Sequence, residues 1–248
     1  MTSDSDRPRF KWPGDSDRIC IVGMVGTGKT RAAVHQLSHR SIDSMTWIAM
    51  DFKGDDTLAA MPVTDIMDLG DPIPSNPGLY YVKVEPSRRG AGTTDFFKAV
   101  YDRGECGVLV DETLAIGAQN EGFNICLFMG RSRRVPMIML MQRPVGMEVN
   151  ARNQATFWQV FRLGNRKDRD ALRDDIPEDR IDLEARLPLH HSHWYDVARD
   201  YAAVLKPTPD ESESFARIQR RMFIPDDEPA PEDSPQQIPR PAGRRVKL

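Results

Sequence analysis

Eight residues, Gly23-Met24-Val25-Gly26-Thr27-Gly28-Lys29-Thr30, fit the spacing G-x-x-x-x-G-K-[ST]. That spacing serves phosphate chemistry. The glycines let the backbone turn its N–H groups inward as a nest for phosphate oxygens, and a helix starting at the lysine adds the partial positive charge of its N-terminus. Lys29 then reaches the β- and γ-phosphates of a nucleotide, and the Thr30 hydroxyl is a ligand for Mg²⁺. Gly23, Val25, Gly26, Thr27, Gly28, Lys29, Thr30 and the following Arg31 are the expected nucleotide contacts. A chance glycine-rich turn lacks the context found here, an apolar "RICIVG" before the loop and a helix-forming "KTRAAVHQLSHR" after it.

A second signal is acidic. "GVLVDE" is an apolar strand ending in Asp111 and Glu112. Paired with a phosphate loop, Asp111 is expected to hold Mg²⁺, largely through its water, and Glu112 to polarise an attacking water as general base. Taken alone, the pair reads equally well as two solvated residues at a strand end. The adjacent glutamate favours hydrolysis over transfer to a small-molecule hydroxyl, which needs no water activator. Gln142 ends the next apolar strand, "MIMLMQ". A polar tip on an otherwise apolar strand reads as a γ-phosphate sensor, or more simply as a strand cap.

These residues need a scaffold. Apolar strands "RICIVG", "MTWIAMDFKG" (ending at Asp51), "GLYYVKV", "CGVLVDE", "PMIMLMQ", "ATFWQVFRLG" and "HSHWYDV" alternate with helical stretches. The helices are "KTRAAVHQLSHR", a threonine-capped "TTDFFKAVYDRG", "NICLFMGRSRR" and the charged "KDRDALRDD". Alternation of this kind predicts an α/β fold, a mostly parallel sheet buried on both faces by helices. Residues 1–17 read as a flexible leader, 18–206 as one compact domain, 207–224 as a C-terminal helix and 225–248 as a disordered proline-rich tail.

Composition narrows the class. The chain has 248 residues, 40% of them hydrophobic, and a net charge of −3. No global basic field marks it for nucleic acid, so such contacts must come from local basic surfaces. Its three cysteines, Cys20, Cys106 and Cys126, are far apart with apolar neighbours and read as buried thiols in a reducing compartment. With no signal-peptide core and no membrane-length apolar run, the protein is expected to be soluble and cytoplasmic. His190, His191 and His193 cluster in "LHHSHWYD", where a packed or solvent-facing strand is a better reading than a metal site. Arg88 and Arg89 lie in "EPSRRGAGTTD", either as phosphate-backbone contacts in a ring pore or as a plain surface loop. The terminal "GRRVKL" is open to the same two readings.

Five stretches together resemble the FtsK–HerA superfamily of DNA-pumping ATPases: the phosphate loop, "WIAMDFKGDD", "VLVDE", "GRSRRVPMIMLMQRP" and "FWQVFRLGNRKDRDALRD". The fourth, at its distance from the third, is the most specific. The resemblance implies a RecA-like fold of the additional-strand, catalytic-glutamate (ASCE) class, with ATP as nucleotide and Mg²⁺ as its ion. It places Arg131 at the family's arginine position, where a neighbouring subunit completes the site in trans, with Arg134 and Arg143 as alternatives. FtsK-type membrane segments and winged helix, and the HerA-type β-barrel, are lacking, so the chain is expected to be nearly a bare motor. That economy is similar to the genome-packaging ATPases of tailless, membrane-containing bacteriophages. The expected partners are double-stranded DNA, further copies in a hexameric ring, and capsid-vertex or portal proteins, in the host cytoplasm or at a virion vertex. The rival expectations are an ATPase for phage assembly or protein extrusion, and a nucleotide-gated scaffold with little turnover.

Overall fold

The apolar runs become buried strands in a computed structural model that describes residues 10–117, 119–146, 152–183, 187–223 and 237–238. In chain order the strands are β1 (Arg18–Val22), β2 (Thr46–Asp51), β3 (Asp65–Ile66), β4 (Gly78–Lys83), β5 (Cys106–Val110), β6 (Met137–Met141), β7 (Phe157–Val160), β8 (Ser192–Asp196), β9 (Tyr201–Leu205) and β10 (Gln237–Ile238). The helices are α1 (Lys29–Ser38), α2 (Asp56–Ala59), α3 (Ala91–Arg103), α4 (Glu121–Met129), α5 (Arg166–Arg173) and α6 (Glu211–Phe223).

All the strands described form one sheet in the order β10-β9-β8-β7-β1-β6-β5-β2-β4-β3. From β7 to β3 every neighbouring pair is parallel; β8, β9 and β10 add antiparallel to the β7 edge. Parallel strands need crossovers, and the helices supply them while covering both faces. Alternate side chains separate accordingly. Cys20, Val22, Val108 and Met139 pack with Phe96, Phe97 and Val100 of α3 and Phe123 and Leu127 of α4. Ile19, Ile21, Leu109 and Ile138 pack with Ala33, Val34 and Leu37 of α1 and Ile218 of α6. The three cysteines are free and buried, and burial pushes the Cys106 and Cys126 thiols up to about 12.

Strand order does what the chemistry requires. β6 lies between β1 and β5, so the residues after β1, β6 and β5 emerge side by side at one edge. In parallel α/β sheets, ligands collect at that carboxyl edge.

Several details differ from the sequence expectation. α3 starts at Ala91, with no side-chain cap; Gly90 (φ 87) turns the chain early, and Thr93 and Thr94 donate back to its carbonyl from inside the first turn. α4 ends at Met129, and Gly130–Arg133 tighten into a 3₁₀ turn closed by Arg134 at φ 53. Strands β3 and β9 were not anticipated. The expected flexible leader is packed from Phe10 onward: Phe10 meets Trp194, Trp12 stacks on His39 at 3.6 Å, and Arg40 donates to the carbonyls of Pro13 and Gly14. Residues 1–9 and the proline-rich tail fall outside the described residues, except Gln237–Ile238, which pair with Leu205 and Val204. No described helix is long and apolar enough to cross a membrane.

Candidate functional site

The loop after β1 has the backbone that its glycines permit. Gly26 (φ 76) and Gly28 (φ 96) occupy left-handed geometry that a Cβ would strain. Gly23 faces a different limit, since a Cβ there would lie 2.6 Å from the Phe161 Cβ. The loop is held at its base by Gly23 N–H donating to the Met141 carbonyl and Met24 N–H donating to that of Arg162. α1 begins at Lys29, so its first N–H groups face the loop.

Val25, Gly26, Thr27, Gly28, Lys29, Thr30, Arg31 and Gln142 line one cleft of about 430 Å³. Gly23 sits behind it, against Phe161. The ammonium of Lys29 is folded back onto the Met24 carbonyl at 2.7 Å. Burial, helped by the neighbouring Lys53 charge and opposed by Glu112, lowers its pKa to about 8. The Thr30 hydroxyl donates to Asp55 Oδ2 at 3.0 Å rather than to Asp111.

Asp111 and Glu112 stand beside this cleft, screened by Lys53, which lines it. Asp111 Oδ1 accepts from the Phe52 N–H at 2.9 Å, while its Oδ2 is buried without a hydrogen-bond partner. Burial raises the Asp111 carboxyl to about 7. Glu112 Oε2 is paired with Lys53 Nζ at 3.0 Å, and its Oε1 is likewise buried without a partner. Two carboxylates with unsatisfied buried oxygens fit a bound divalent cation and a reacting water, each of which would supply the missing contact.

No protein-family model matches the chain. A curated relative does: the chain is 33% identical over 216 residues to the DNA packaging ATPase P9 of Enterobacteria phage PRD1, an alignment covering 84% of this chain and 95% of the relative. The chain belongs to the phage DNA-packaging ATPases. The fold of this packaging ATPase is also that of the genome packaging NTPase B204 from Sulfolobus turreted icosahedral virus 2. In complex with ATP-γ-S, B204 superimposes with a TM-score of 0.63 at 16% identity, over 79% of this chain and 99% of that one. A type VII secretion protein, Thermomonospora curvata EccC (ATPases 2 and 3), shares the fold at a TM-score of 0.57 and 12% identity, over 92% of this chain and 45% of that one. The packaging ATPase is thus a nucleotide-binding P-loop enzyme.

Arg131, Arg134 and Arg143 are not brought to the cleft. Arg131 and Arg134 precede β6 and lie at the amino edge of the sheet, opposite the phosphate loop. Arg134 is paired with Glu105 at 2.8 Å and with Asp15 at 3.8 Å. Arg131 is exposed, and its guanidinium makes no ion pair among the described residues. Arg143 follows Gln142 at the carboxyl edge but turns to Asp168, 3.4 Å away.

Three features of the packaging ATPase were not legible as site residues. Asp51, buried, accepts N–H bonds from Lys53, Gly54 and Asp55 and the hydroxyl of Tyr81, and so shapes the loop that carries Lys53. The "DFKGDD" run was the available signal. His190, at φ 63, lines the cleft with Nδ1 3.1 Å from the Thr27 carbonyl. Because a carbonyl only accepts, Nδ1 carries the proton. A Cβ on Gly28 would lie 3.2 Å from that nitrogen, which gives the glycine a second reason to be there. The segment entering α6 closes the cleft from outside: Pro207, Thr208 and Glu211 line it, with Glu211 Oε1 accepting from the Thr57 hydroxyl at 3.1 Å and lying 3.4 Å from Arg31 Nε.

Proposed function

We propose that this packaging ATPase hydrolyses ATP as a ring of identical subunits and so drives double-stranded DNA into a preformed capsid. The observation that carries the hydrolytic site is the pair of buried, unpartnered oxygens on Asp111 and Glu112 beside the phosphate loop. In this reading the loop N–H groups and Lys29 hold the phosphates. Thr30 and Asp111 are the residues that would hold Mg²⁺, which supplies charge neutralisation at the β- and γ-phosphates. Thr30 exchanges its Asp55 bond for that role. Glu112 takes a proton from the attacking water, and Gln142 orients that water or the γ-phosphate.

The amino-edge position of Arg131, with no ion pair to hold it back, supports a role across a subunit interface, where it stabilises charge on the neighbour's transferred phosphoryl group. Capsid-vertex or portal proteins are the partners such a motor requires, at the host cytoplasmic side of a forming virion. Chain charge is mildly acidic, so grip on DNA comes from repeated weak phosphate contacts in the assembly. The test is the ATPase rate of the assembled protein against salt, with DNA of unrelated sequence. Stimulation by any duplex, falling steeply as salt rises, is the expected result. An assembled enzyme whose rate ignores DNA would point instead to a protein substrate.

A further inference from the structure

A second cavity, also of about 430 Å³, runs along α1 beyond the phosphate loop. Ala32, His35, Gln36 and His39 recur at helical spacing, so one face of α1 forms its wall. The volume is that of a small-molecule site. Pro207 and Thr208 line both this cavity and the nucleotide cleft.

The wall carries polar atoms that the fold does not use. Gln36 is 2% exposed. Its Nε2 donates to Gln159 Oε1 at 3.2 Å, and Gln159 Nε2 donates to Ser192 Oγ at 3.1 Å. That relay engages the nitrogen and leaves Gln36 Oε1 buried without a hydrogen-bond partner. His39 Nε2 is buried without one too, and burial holds that imidazole down to about 2, so the ring is neutral. A buried carbonyl oxygen with no donor costs stability, and a bound donor removes the cost. The rest of the lining is aromatic and cationic. Trp12 stacks on His39, and His35 stands edge-on to both rings. Lys206 and Arg217 bring positive charge to the same cavity.

We propose that this cavity is a second ligand site, separate from the phosphate loop, for a purine mononucleotide whose base carries an exocyclic amino group. Each part of such a ligand has its counterpart. The flat base lies against the Trp12 and histidine rings, and its amino group donates to Gln36 Oε1. The phosphate is drawn to Lys206 and Arg217. Gln36 and Lys29 stand on the same helix, and Pro207–Thr208 is a shared wall, so occupancy here bears directly on the nucleotide cleft.

The test is calorimetric titration of AMP and of GMP in two backgrounds: Lys29→Ala protein, and wild-type protein saturated with a non-hydrolysable ATP analogue. At least one of the two nucleotides is expected to bind, one molecule per chain, in both. IMP, which has no exocyclic amino group, binds about tenfold more weakly, and Gln36→Leu abolishes that preference. Lys206→Ala combined with Arg217→Ala weakens the mononucleotide about tenfold but leaves its nucleoside unchanged, a comparison that does not depend on altering a buried residue. Failure of both nucleotides to bind overturns the site. Binding that disappears when the analogue fills the cleft overturns its separateness, and binding indifferent to both the Gln36 and the Lys206–Arg217 changes overturns its location.

Discussion

The two edges of the sheet are built in opposite ways. At the carboxyl edge, turns after β1, β2, β5 and β6 leave a cleft with unsatisfied oxygens and a lysine folded back on its own loop. At the amino edge, polar groups are tied down by the segment before β1. Arg40 donates to the carbonyls of Pro13 and Gly14, Ser41 donates to Asp15 at 3.1 Å, and Asp15 in turn is 3.8 Å from Arg134. Arg131 there is exposed and makes no ion pair among the described residues. A strand of five residues, about 3.3 Å each, separates the edges by roughly 16 Å. A long side chain cannot span that, so Arg131 does not reach the cleft of its own chain.

The strongest way to break this comparison is to mix subunits. Arg131→Ala protein binds ATP but loses about 10³-fold in hydrolysis. Added to inactive Lys29→Ala subunits it regains part of the rate, because an intact cleft then meets an intact arginine. If rings shown to be mixed gain nothing at any ratio, the complement of the cleft is not Arg131, and Arg134 and Arg143 go through the same assay.

At the carboxyl edge, Glu112→Gln keeps the shape of the acid pair and removes the base. Hydrolysis falls about 10²- to 10³-fold while binding of a non-hydrolysable nucleotide persists, as equilibrium titration would record. A variant turning over at the normal rate sinks that assignment.

His190 tests how far the cleft depends on β8. His190→Ala removes the bond to Thr27 and raises KM for ATP about fivefold with little change in kcat. His190→Asn, which tolerates positive φ and keeps an N–H donor, recovers most of that loss. Equal effects on KM and kcat in His190→Ala would mean the imidazole acts on the reaction rather than on the loop.

The smallest effect belongs to the amino edge. Burial under Trp12, with added repulsion from His35, Arg217, Arg221 and Arg40, pushes the His39 imidazole down to about 2. A base whose folded pKa lies below its unfolded value of about 6.5 destabilises the fold only when protonation is favoured in the unfolded chain. Stability is therefore at its plateau above pH 6.5 and declines as pH falls below it, towards 2. His39→Gln flattens that decline without altering KM for ATP, measurable by thermal melts between pH 7 and 4. An unchanged acid limb would show that His39 is not the group responsible.

Much of this was legible in the chain because it is local. The phosphate loop needs only consecutive residues of the right backbone freedom, and each buried parallel strand announces itself as an unbroken apolar run, as in "CGVLV" and "MIMLM". The limits of α6 at Glu211 and Phe223 follow from one continuous helix-forming stretch. Other elements escaped for physical reasons. β9 is only partly buried at the antiparallel edge, so "YAAVL" lacks the apolar run of a central strand. α3 begins before its threonines because a glycine at positive φ, not a hydroxyl, sets its start. His190 could not be placed from its neighbours, since its partner Thr27 is 163 residues away.

The sequence by itself determined which residues have the chemistry: a lysine and threonine after a flexible loop, two acids after one strand, a glutamine after another. Only the tertiary structure decided which of them meet. Strand order put β6 between β1 and β5, so Gln142 joins the phosphate loop, and the direction of β6 sent Arg131 to the far edge although it lies close to Gln142 in the chain. The fold also turned Lys53 onto Glu112 and Arg89 onto Phe52. Such contacts depend on long-range packing and hydrogen bonding between segments that share no local pattern, which is why spacing alone does not reveal them.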